Sequence, residues 1–580
     1  MKTATIKQGL RVGLLALLLA APVLAQAQGP TFQWAVTCGV GGQANTPTVP
    51  NRLTVDAQGN TYVTGYFYGA ISIGSISITA ASYDVFVAKL NPQGTVLWAT
   101  TAGGASSDTG NCIALDGSGG VYVGGYFSGS GITFGQSSVT LLNSSGSTDA
   151  EAYVAKLDAA TGQWQWARRA GGTGSDAVQA LTINQQGEVC LAGEFSSGAA
   201  DFGATVLTCA PATSSSYRRD VFVAKLTSTG TWLWAVRGGG IQTGETAASL
   251  VADATGYLYL AGTINGTAPF NADFGSSTLV GNINLSLGNG DNDGYVARIS
   301  ANGTWLWAVQ GNSAGFNKLE IHDLAIDQQG SLYVGGSYTG ILAHVGATML
   351  FNQGKPYVPF PEAPHPITYY YPNAFVARLD AATGTWGWAT RAGGLDGAQI
   401  RYLVTDTQGR LYVSGYFLNG IGPVSASAVS AAQLDAATGN WRWAGSSVWG
   451  ALAIDNLNRL YMGSYFEGAS ATFGPITLSG PGVNYATGVV ARLGAGVLAT
   501  APATAASGGL QVWPNPGSGS QPVQVAGAAP GAAVQVLDVL GRQVWAARMP
   551  ATGPMALPAS LPAGMYLVRS AGQYQQLIVE

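Results

Sequence analysis

The sequence has little charge. Asp, Glu, Lys and Arg together make up 9% of its 580 residues, against about a quarter in ordinary soluble domains. The net charge is −4 and no basic block occurs, so the electrostatic footprint of a nucleic-acid-binding protein is missing and no such partner is expected. Surface helices need charged faces, whereas glycine is abundant, with 83 residues. The composition therefore favours many short strands joined by glycine turns.

Long apolar runs are also missing beyond the N-terminus. No segment after residue 27 has 18 uninterrupted apolar residues, so no transmembrane segment is expected in the mature chain. Residues 1–27 have the pattern of a signal peptide. Lys2, Lys7 and Arg11 precede the apolar run VGLLALLLAAPVL, and AQA at 25–27 offers small residues for cleavage. We therefore expect an exported protein.

Internal repeats dominate the rest of the chain, and a fold prediction must explain them first. One element reads apolar-x-apolar-Asp-x-x-Gly-x-apolar-Tyr-Val-x-Gly-aromatic. Its seven copies are LTVDAQGNTYVTGYF (53–67), IALDGSGGVYVGGYF (113–127), LTINQQGEVCLAGEF (181–195), LVADATGYLYLAGTI (250–264), LAIDQQGSLYVGGSY (324–338), LVTDTQGRLYVSGYF (403–417) and LAIDNLNRLYMGSYF (452–466).

Each copy predicts a β-hairpin, because its flanks alternate as half-buried strands do. An Asp or Asn side chain at the turn can bond to its own backbone two residues on. These turn residues are Asp56, Asp116, Asn184, Asp253, Asp327, Asp406 and Asp455. Three residues later stands Gly, or Asn458 in the last copy, and both residue types tolerate the left-handed conformation of such a turn.

A second hairpin follows the first six copies, at 85–100, 153–168, 221–236, 295–309, 375–390 and 431–445; after the seventh, 489–496 supplies only the front half. We name the four strands of each unit a, b, c and d. The residue before strand c is Asp84, Glu151, Asp220, Asp293 or Asn373, which we interpret as turn-forming side chains.

The repeat resembles a family of bacterial β-propeller repeats typified by VDSSGNVYVTGY, to which VDAQGNTYVTGYF of the first copy is a close match. The resemblance covers roughly residues 31–496. It implies an all-β fold, a seven-bladed β-propeller with four-stranded blades. It implies no particular activity, since fold does not determine function.

Counting strands predicts a closed ring. The seventh unit has no strand d, while residues 31–36 form a strand d that no strand c precedes. We therefore expect the N-terminal strand to complete the last blade, because an open array would leave a long edge exposed. The tryptophan pairs W-x-W on strands d, such as Trp164 with Trp166, are expected on one strand face and packed between blades.

The b-c connections vary most in length, and function tends to lie on variable loops held by a rigid scaffold. We therefore expect the ligand on the b-c/d-a face. The longest connection, in the fifth unit, offers an aromatic candidate ligand loop, although such aromatics commonly pack on their own domain. Its candidate residues are Tyr357, Phe360, Tyr369, Tyr370 and Tyr371.

Histidine and cysteine are scarce. All three histidines, His322, His344 and His365, fall in the fifth unit and are candidate metal ligands, although no ligand spacing supports a metal site. Export permits disulfides among the four cysteines. If residues 196–201 make a chain reversal, Cys190 faces Cys209. Cys38 with Cys112 is a second candidate pair.

No G-x-S-x-G, H-E-x-x-H or phosphate-loop motif occurs, and no cofactor or catalytic residue is predicted. We hypothesise a monomeric, non-catalytic binding or adhesion module for an extracellular glycan or protein. The alternative is a polysaccharide-acting hydrolase or lyase with its site on the b-c/d-a face. Paired carboxylates would need no sequence proximity to serve glycoside chemistry.

The C-terminal segment differs from the repeats. After the propeller (28–494), small residues at 495–509 predict a linker, and residues 510–580 predict a small β-sandwich. This tail resembles the C-terminal sorting domain of type IX secretion cargo. The residues that carry the resemblance are Pro514, Asn515, Pro516, Asp538, Gly541, Arg542, Gly564 and Tyr566. It implies passage through the periplasm to the cell surface or medium, by the type IX machinery.

Overall fold

The computed structural model describes residues 31–41, 47–144, 149–210, 219–280, 291–313, 318–357, 369–418, 428–445, 449–494, 510–513, 523–526, 528–538, 542–551, 553–558, 561–562, 564–570 and 573–579. The predicted signal peptide and linker lie outside these ranges. The chain divides into two compact units, Met1–Leu498 and Ala499–Glu580. Both are all-β, and nothing in the described ranges forms a helix that could cross a membrane.

The strands of the first compact unit run in chain order as follows: β1 (Phe32–Gly41), β2 (Thr48–Val55), β3 (Thr61–Ile73), β4 (Ile76–Leu90), β5 (Val96–Gly103), β6 (Asp108–Leu115), β7 (Gly120–Phe127), β8 (Gly131–Phe134), β9 (Thr140–Leu142), β10 (Glu151–Asp158), β11 (Trp164–Ala170), β12 (Asp176–Ile183), β13 (Val189–Phe195), β14 (Ala200–Phe202), β15 (Thr205–Leu207), β16 (Asp220–Leu226), β17 (Trp232–Ala252), β18 (Leu258–Phe274), β19 (Ser277–Val280), β20 (Asp291–Ile299), β21 (Trp305–Ser313), β22 (Leu319–Ile326), β23 (Ser331–Tyr338), β24 (Leu342–Val345), β25 (Thr348–Phe351), β26 (Pro356–Tyr357), β27 (Tyr369–Tyr370), β28 (Asn373–Asp380), β29 (Trp386–Ala392), β30 (Ala398–Thr405), β31 (Arg410–Leu418), β32 (Ala428–Asp435), β33 (Trp441–Gly445), β34 (Ala451–Ile454), β35 (Leu460–Phe473) and β36 (Ile476–Leu493).

These strands form antiparallel groups of four, which we number as units 1 to 7 and whose strands take the order a-b-c-d. Within the described residues the groups are β2-β3-β4-β5, β6-β7-β10-β11, β12-β13-β16-β17, β17-β18-β20-β21, β22-β23-β28-β29, β30-β31-β32-β33 and β34-β35-β36-β1. The long strand β17 is strand d of unit 3 and strand a of unit 4. The fold is thus propeller-like.

Strand β1 takes the place predicted for it. It pairs antiparallel with β36, with Trp34 opposite Arg492 and Val36 opposite Val490. The Trp34 indole donates to the Pro92 carbonyl of unit 1 at 2.9 Å. The same bond recurs between other neighbouring units, for example from Trp98 to Ala159 and from Trp166 to Ser228.

Apolar side chains join each unit to the next. Seven buried clusters lie among the described residues of the repeat, and each contains residues from two neighbouring units. One of them joins units 7 and 1 through Leu53, Phe67, Tyr461 and Val490. The first and last units are therefore in contact, and burial of this apolar surface stabilises that contact.

The predicted turn chemistry is confirmed. In unit 1, Asp56 Oδ1 accepts from the backbone N–H groups of Gln58 and Asn60 at 3.0 and 2.8 Å. Its other oxygen accepts from the Tyr62 hydroxyl at 3.2 Å, which gives the strand-b tyrosine a role. Gly59 has φ +86°, and Asn458 is the one non-glycine residue with positive φ in the described chain.

The tryptophan prediction is half wrong. The pairs do pack between units, but their members face opposite ways. Trp166 lies opposite Lys156 and Trp164 opposite the next residue, Leu157, so the residue between them is a β-bulge. The bulge turns Trp164 towards Thr101 of unit 1, at 3.1 Å, and Trp166 towards unit 3. One strand d thereby contacts both neighbouring units through its two tryptophans.

Neither candidate disulfide forms, because all four cysteines are free and buried. The hairpin after Cys190 turns at Gly203, later than predicted, and this places Cys209 opposite Ser197. Cys190 and Cys209 belong to apolar clusters on opposite sides of unit 3. Cys38 lies between units 7 and 1, whereas Cys112 lies between units 2 and 3.

The second compact unit contains two antiparallel sheets around one apolar cluster. The strands are β37 (Gln511–Trp513), β38 (Gln524–Ala526), β39 (Ala533–Asp538), β40 (Gln543–Arg548), β41 (Met555–Ala556), β42 (Gly564–Ser570) and β43 (Gln573–Val579), in the orders β37-β38-β41 and β40-β39-β42-β43. Asp538 accepts from the backbone N–H of Arg542 and pairs with its guanidinium at 2.7 Å. Pro514–Pro516 and Gly541 lie outside the described residues.

Candidate binding site

The inner strands a carry an irregularity that the repeat pattern did not predict. In units 1 to 6 one extra residue interrupts the pairing with strand b, for example between Pro50 and Arg52 and between Ile321 and Asp323. Such β-bulges re-aim a side chain and are frequent next to functional sites. The extra residues are Asn51, Asn111, Gln179, Ala248, His322 and Arg401.

These six residues line one cavity of about 340 Å³, together with Arg52, Ala247 and Tyr402. The cavity therefore draws on strand a of six units, which makes these strands the inner ones. A second cavity of about 170 Å³ lies closer to the a-b turns and is lined by the following residues of the same strands. The larger cavity is accordingly nearer the d-a connections. Its volume falls in the range of small-molecule sites.

An ion pair joins units 1 and 5 where the two cavities meet, since Arg52 lines both cavities and Asp323 lines the second. Both terminal nitrogens of Arg52 bind the Asp323 carboxylate at 3.3 Å, the paired geometry in which this contact is most specific. Asp323 also accepts from the Leu403 N–H at 2.9 Å. Burial lowers the pKa of Arg52, but the carboxylate outweighs it and the net shift is upward. The Arg52 guanidinium lies 4.8 Å from the Tyr402 ring centre.

The remaining basic groups of the larger cavity are His322 and Arg401. The His322 Nε2 atom lies 3.1 Å from the Ser337 hydroxyl. Burial and the positive charge of Arg401 lower the pKa of His322 to about 3, so the imidazole is neutral at pH 7. Arg401 is exposed and makes no hydrogen bond or ion pair with the described residues. It is therefore the one uncompensated charge of this cavity.

Amide side chains hold neighbouring inner strands together. Asn51 donates to the Gly110 carbonyl of unit 2 at 3.0 Å. Asn111 donates to the Val178 carbonyl of unit 3 at 2.9 Å and to the Gln179 side chain at 3.1 Å. These bonds fix the bulged residues on this side of the cavity, which gives the site a defined shape before any ligand arrives.

Strands b of four units carry tyrosine at one equivalent position. The same strand-b position holds Tyr66, Tyr126, Tyr416 and Tyr465 in units 1, 2, 6 and 7 and Glu194, Thr263 and Ser337 in units 3 to 5. Burial and the nearby hydroxyls of Tyr465, Tyr83 and Tyr126 raise the pKa of Tyr66. This strand-b position is thus aromatic in four units and polar in the other three.

The residues before strand c were predicted to form turns, and this prediction is wrong. Glu151, Asp220, Asp293 and Asn373 lie at or near the start of their strands. Asp84 lies in the middle of β4, and all five residues are buried. Between three pairs of neighbouring units, the acid before strand c lies near an acid of the next strand a. These pairs are Asp84 with Asp108, Glu151 with Asp176, and Asp220 with Glu245. Gly103, Gly171 and Gly239 cover these acids, and a side chain there would overlap them.

The structure separates the predicted histidine cluster. His322 lies on inner strand β22, whereas His344 lies on β24, which pairs with outer strand β21 of unit 4. His365 lies outside the described residues, and within those that are described no group of three His, Cys, Asp or Glu is placed to hold a metal ion.

The predicted ligand loop is described only in part. Strands β26 and β27 pair Pro356 with Tyr370 and Tyr357 with Tyr369, and Tyr371 is exposed. Lys355 next to them forms an ion pair with Asp396 in the connection to unit 6. Phe360 lies outside the described residues.

The spacing of apolar residues in the sequence indicates where the bulged residues lie. Buried apolar residues flank them at a spacing of three, as in Val178–Leu181, Ile321–Leu324 and Ile400–Leu403. A regular strand buries residues at a spacing of two. The odd spacing indicates one extra residue, and the extra residue differs from copy to copy.

Comparisons with known proteins do not assign the chain to a family. No family model matches it, and no curated protein matches it.

Solved structures resemble the chain only distantly. The quinohemoprotein alcohol dehydrogenase of Comamonas testosteroni is 13% identical with a TM-score of 0.36, over 83% of this chain and 78% of that one. An ulvan lyase of polysaccharide lyase family PL25 is 13% identical with a TM-score of 0.38, over 80% and 97%. A protein of unknown function from Dyadobacter fermentans is 11% identical with a TM-score of 0.33, over 66% and 94%. Likenesses this weak carry no argument about the site.

Proposed function

We propose that this chain is an exported, monomeric, closed seven-bladed β-propeller that binds an extracellular glycan or protein ligand in the larger cavity, without turning it over. The single observation that carries the proposal is the bulge in six inner strands, which aims six different residues into one cavity. Closure is supported by the pairing of β1 with β36 and by the cluster that joins units 7 and 1.

Binding without catalysis is supported by the state of Asp323, the acid that binds the cavity residue Arg52. Asp323 is held by Arg52 and by the Leu403 N–H, so it is not placed to transfer a proton. The lining of the larger cavity, as far as the chain is described, contains no pair of carboxylates. The hydrolase alternative needs such a pair.

A blocking variant tests the site. Ala248 lines the cavity, so Ala248→Phe should fill part of it. The mature chain, from residue 28, would be screened on glycan and protein arrays beside this variant. We expect Ala248→Phe to lose the ligand that the natural chain binds. The matched control is Val206→Phe, at an exposed position of the β14–β15 hairpin, which should bind normally. Equal binding by Ala248→Phe would place the site elsewhere.

A lyase is the second candidate, because His322, Arg401 and Tyr402 line the same cavity. Arg401 would bind the carboxylate of a uronic acid, and neutral His322, a weak base because its pKa is lowered to about 3, would take the proton from the adjacent carbon. That electron pair would form a carbon–carbon double bond as the glycosidic C–O bond breaks, and Tyr402 would protonate the leaving oxygen. Ultraviolet-absorbing unsaturated products from polygalacturonate, lost in His322→Ala, would favour this candidate. Binding without product would favour the first.

We propose that the C-terminal unit directs type IX secretion and cell-surface or extracellular localisation. The two-sheet architecture and the Asp538–Arg542 turn support this role. In a host with that secretion system, deletion of Gln573–Glu580 should trap the protein in the periplasm, because it removes an entire sheet strand. Val544→Ala, at an exposed position, should be secreted normally. Unchanged secretion of the deletion variant would refute the proposal.

A further inference from the structure

The charge of the larger cavity differs from that of the chain. The whole sequence carries −4, yet the cavity holds two arginines and no free acid among its described lining residues. The Asp323 carboxylate neutralises Arg52. Arg401 has no such partner, so the cavity is positive by one charge.

Arg401 is exceptional among the arginines of the repeat. Every other described arginine of units 1 to 7 forms an ion pair or a hydrogen bond, for example Arg169 with the Glu151 carboxylate and Arg298 and Arg492 with backbone carbonyls. Glu320, which like Arg401 acts electrostatically on Tyr416, accepts at its Oε1 atom from the Asn292 amide at 3.3 Å. A guanidinium has five donors in a fixed fork that fits planar anions. Arg401 lines the cavity, and none of its donors is bound by a described residue.

The neighbours of Arg401 suit a sugar. Tyr402 lines the cavity beside it, and Tyr416 is close enough to interact electrostatically with it. Tyrosine rings offer flat apolar faces with a polar edge, and the amides of Asn111 and Gln179 supply further hydrogen-bonding groups. An acidic peptide would need several cations, whereas the cavity has one that is free.

We infer that the ligand is an acidic glycan and that Arg401 binds the carboxylate or sulfate group on one of its sugar rings. This inference rests on the proposed function, since it specifies what the same cavity takes. A hydrogen bond between charged groups is stronger than a neutral one, so loss of Arg401 should weaken binding by roughly 10- to 100-fold.

Calorimetry on the mature chain separates the possibilities. The probes are trigalacturonate, a sulfated galactose trisaccharide, neutral galactotriose and triglutamate. We expect an acidic trisaccharide to bind at least about tenfold more tightly than galactotriose and triglutamate. The two acidic sugars distinguish a carboxylate from a sulfate. Binding of both should weaken in high salt, because screening acts on the charged contact.

Three variants assign the effect to Arg401. Arg401→Gln should lose the preference for acidic sugars, and Arg401→Lys should keep part of it. Arg442→Gln, which removes an exposed arginine bound to Asp435 at a c-d turn, should behave like the natural chain. An unchanged acidic preference in Arg401→Gln would overturn the inference, as would tighter binding of triglutamate.

Failure of the inference can be told from failure of the proposed function. If galactotriose binds as well as the acidic sugars and Ala248→Phe abolishes that binding, the cavity is the site but its ligand is not acidic. If acidic sugars bind and Ala248→Phe binds them normally, both are wrong. If no acidic sugar binds at millimolar concentration, the inference is wrong whichever array ligand the cavity takes.

Discussion

The a-b turns and the bulges of strands a lie five residues apart in the same repeat, yet they differ in kind. At the turn, six copies carry Asp and one carries Asn, and every one accepts the same backbone bonds. At the bulge, the six residues are Asn, Asn, Gln, Ala, His and Arg. The fold requires an Asp or Asn side chain at the turn, whereas it allows different side chains at the bulge. We interpret the variable positions as those used for binding.

The largest effect should come from breaking the structure that both regions share. Deletion of Thr31–Thr37 removes the strand that pairs with β36 and the Trp34 bond to unit 1. We expect a loss of stability of at least the roughly 3–5 kcal/mol that truncation of one large buried aromatic costs. Thermal unfolding measures it. Gln33→Ala, at an exposed position of β1, is the control. A deletion variant with the same melting temperature as Gln33→Ala would contradict ring closure.

Unit 6 allows a direct comparison of turn and bulge. Asp406 accepts from the Gln408 and Arg410 N–H groups at 2.9 Å and forms an ion pair with Arg410. Asp406→Ala should therefore lose about 2–4 kcal/mol. Arg401→Ala should stay within about 0.5 kcal/mol of the natural chain, since Arg401 has no partner to lose. Urea denaturation compares them, and equal losses would remove the distinction between the two regions.

We call Asp84, Asp108, Asp176 and Glu245 the seam acids, because they lie where neighbouring units meet. They predict a pH dependence of stability that the turn acids do not. Burial raises the pKa of Asp108 and Glu245 to about 8, and that of Asp84 and Asp176 to about 6. Because these values lie above the ordinary 3.8 and 4.5, the folded protein binds more protons than the unfolded chain between about pH 4 and 8. Stability should fall as pH rises through that window and level off above it.

Melting temperatures from pH 4 to 9 measure this fall. Asp108→Asn should make it shallower, since one buried proton is no longer exchanged. Asp158→Asn changes a turn acid whose pKa is lowered mainly by the Thr161 hydroxyl and N–H, so the fall should persist. Stability that rises from pH 4 to 8 would show that the seam acids are charged when folded.

The smallest effect concerns the cysteines. Since all four are free and buried, a reducing agent should leave the melting temperature unchanged. A thiol reagent should find no reactive cysteine in the folded protein and four after unfolding. A lower melting temperature on reduction, or fewer than four thiols, would restore the predicted disulfides.

The repeat made the units, the turns and the role of β1 predictable, because each depends on local pattern or on strand counting. Contacts that depend on register were not predictable. One extra residue in strand d turns Trp164 away from Trp166, and one extra residue in strand a aims His322 into the cavity. Likewise the bond of Arg52 to Asp323 joins residues 271 positions apart, a distance that no local pattern spans.

The most direct test of the cavity uses the three histidines of the chain as reporters. Trigalacturonate would be added to the mature chain labelled at its histidine ring carbons, with resonances assigned through His322→Gln and His344→Gln. His322 lies in the cavity and His344 beside outer strand β21. We expect the His322 resonance to shift on binding and the His344 resonance to stay unchanged. A His344 shift with an unmoved His322 would contradict it.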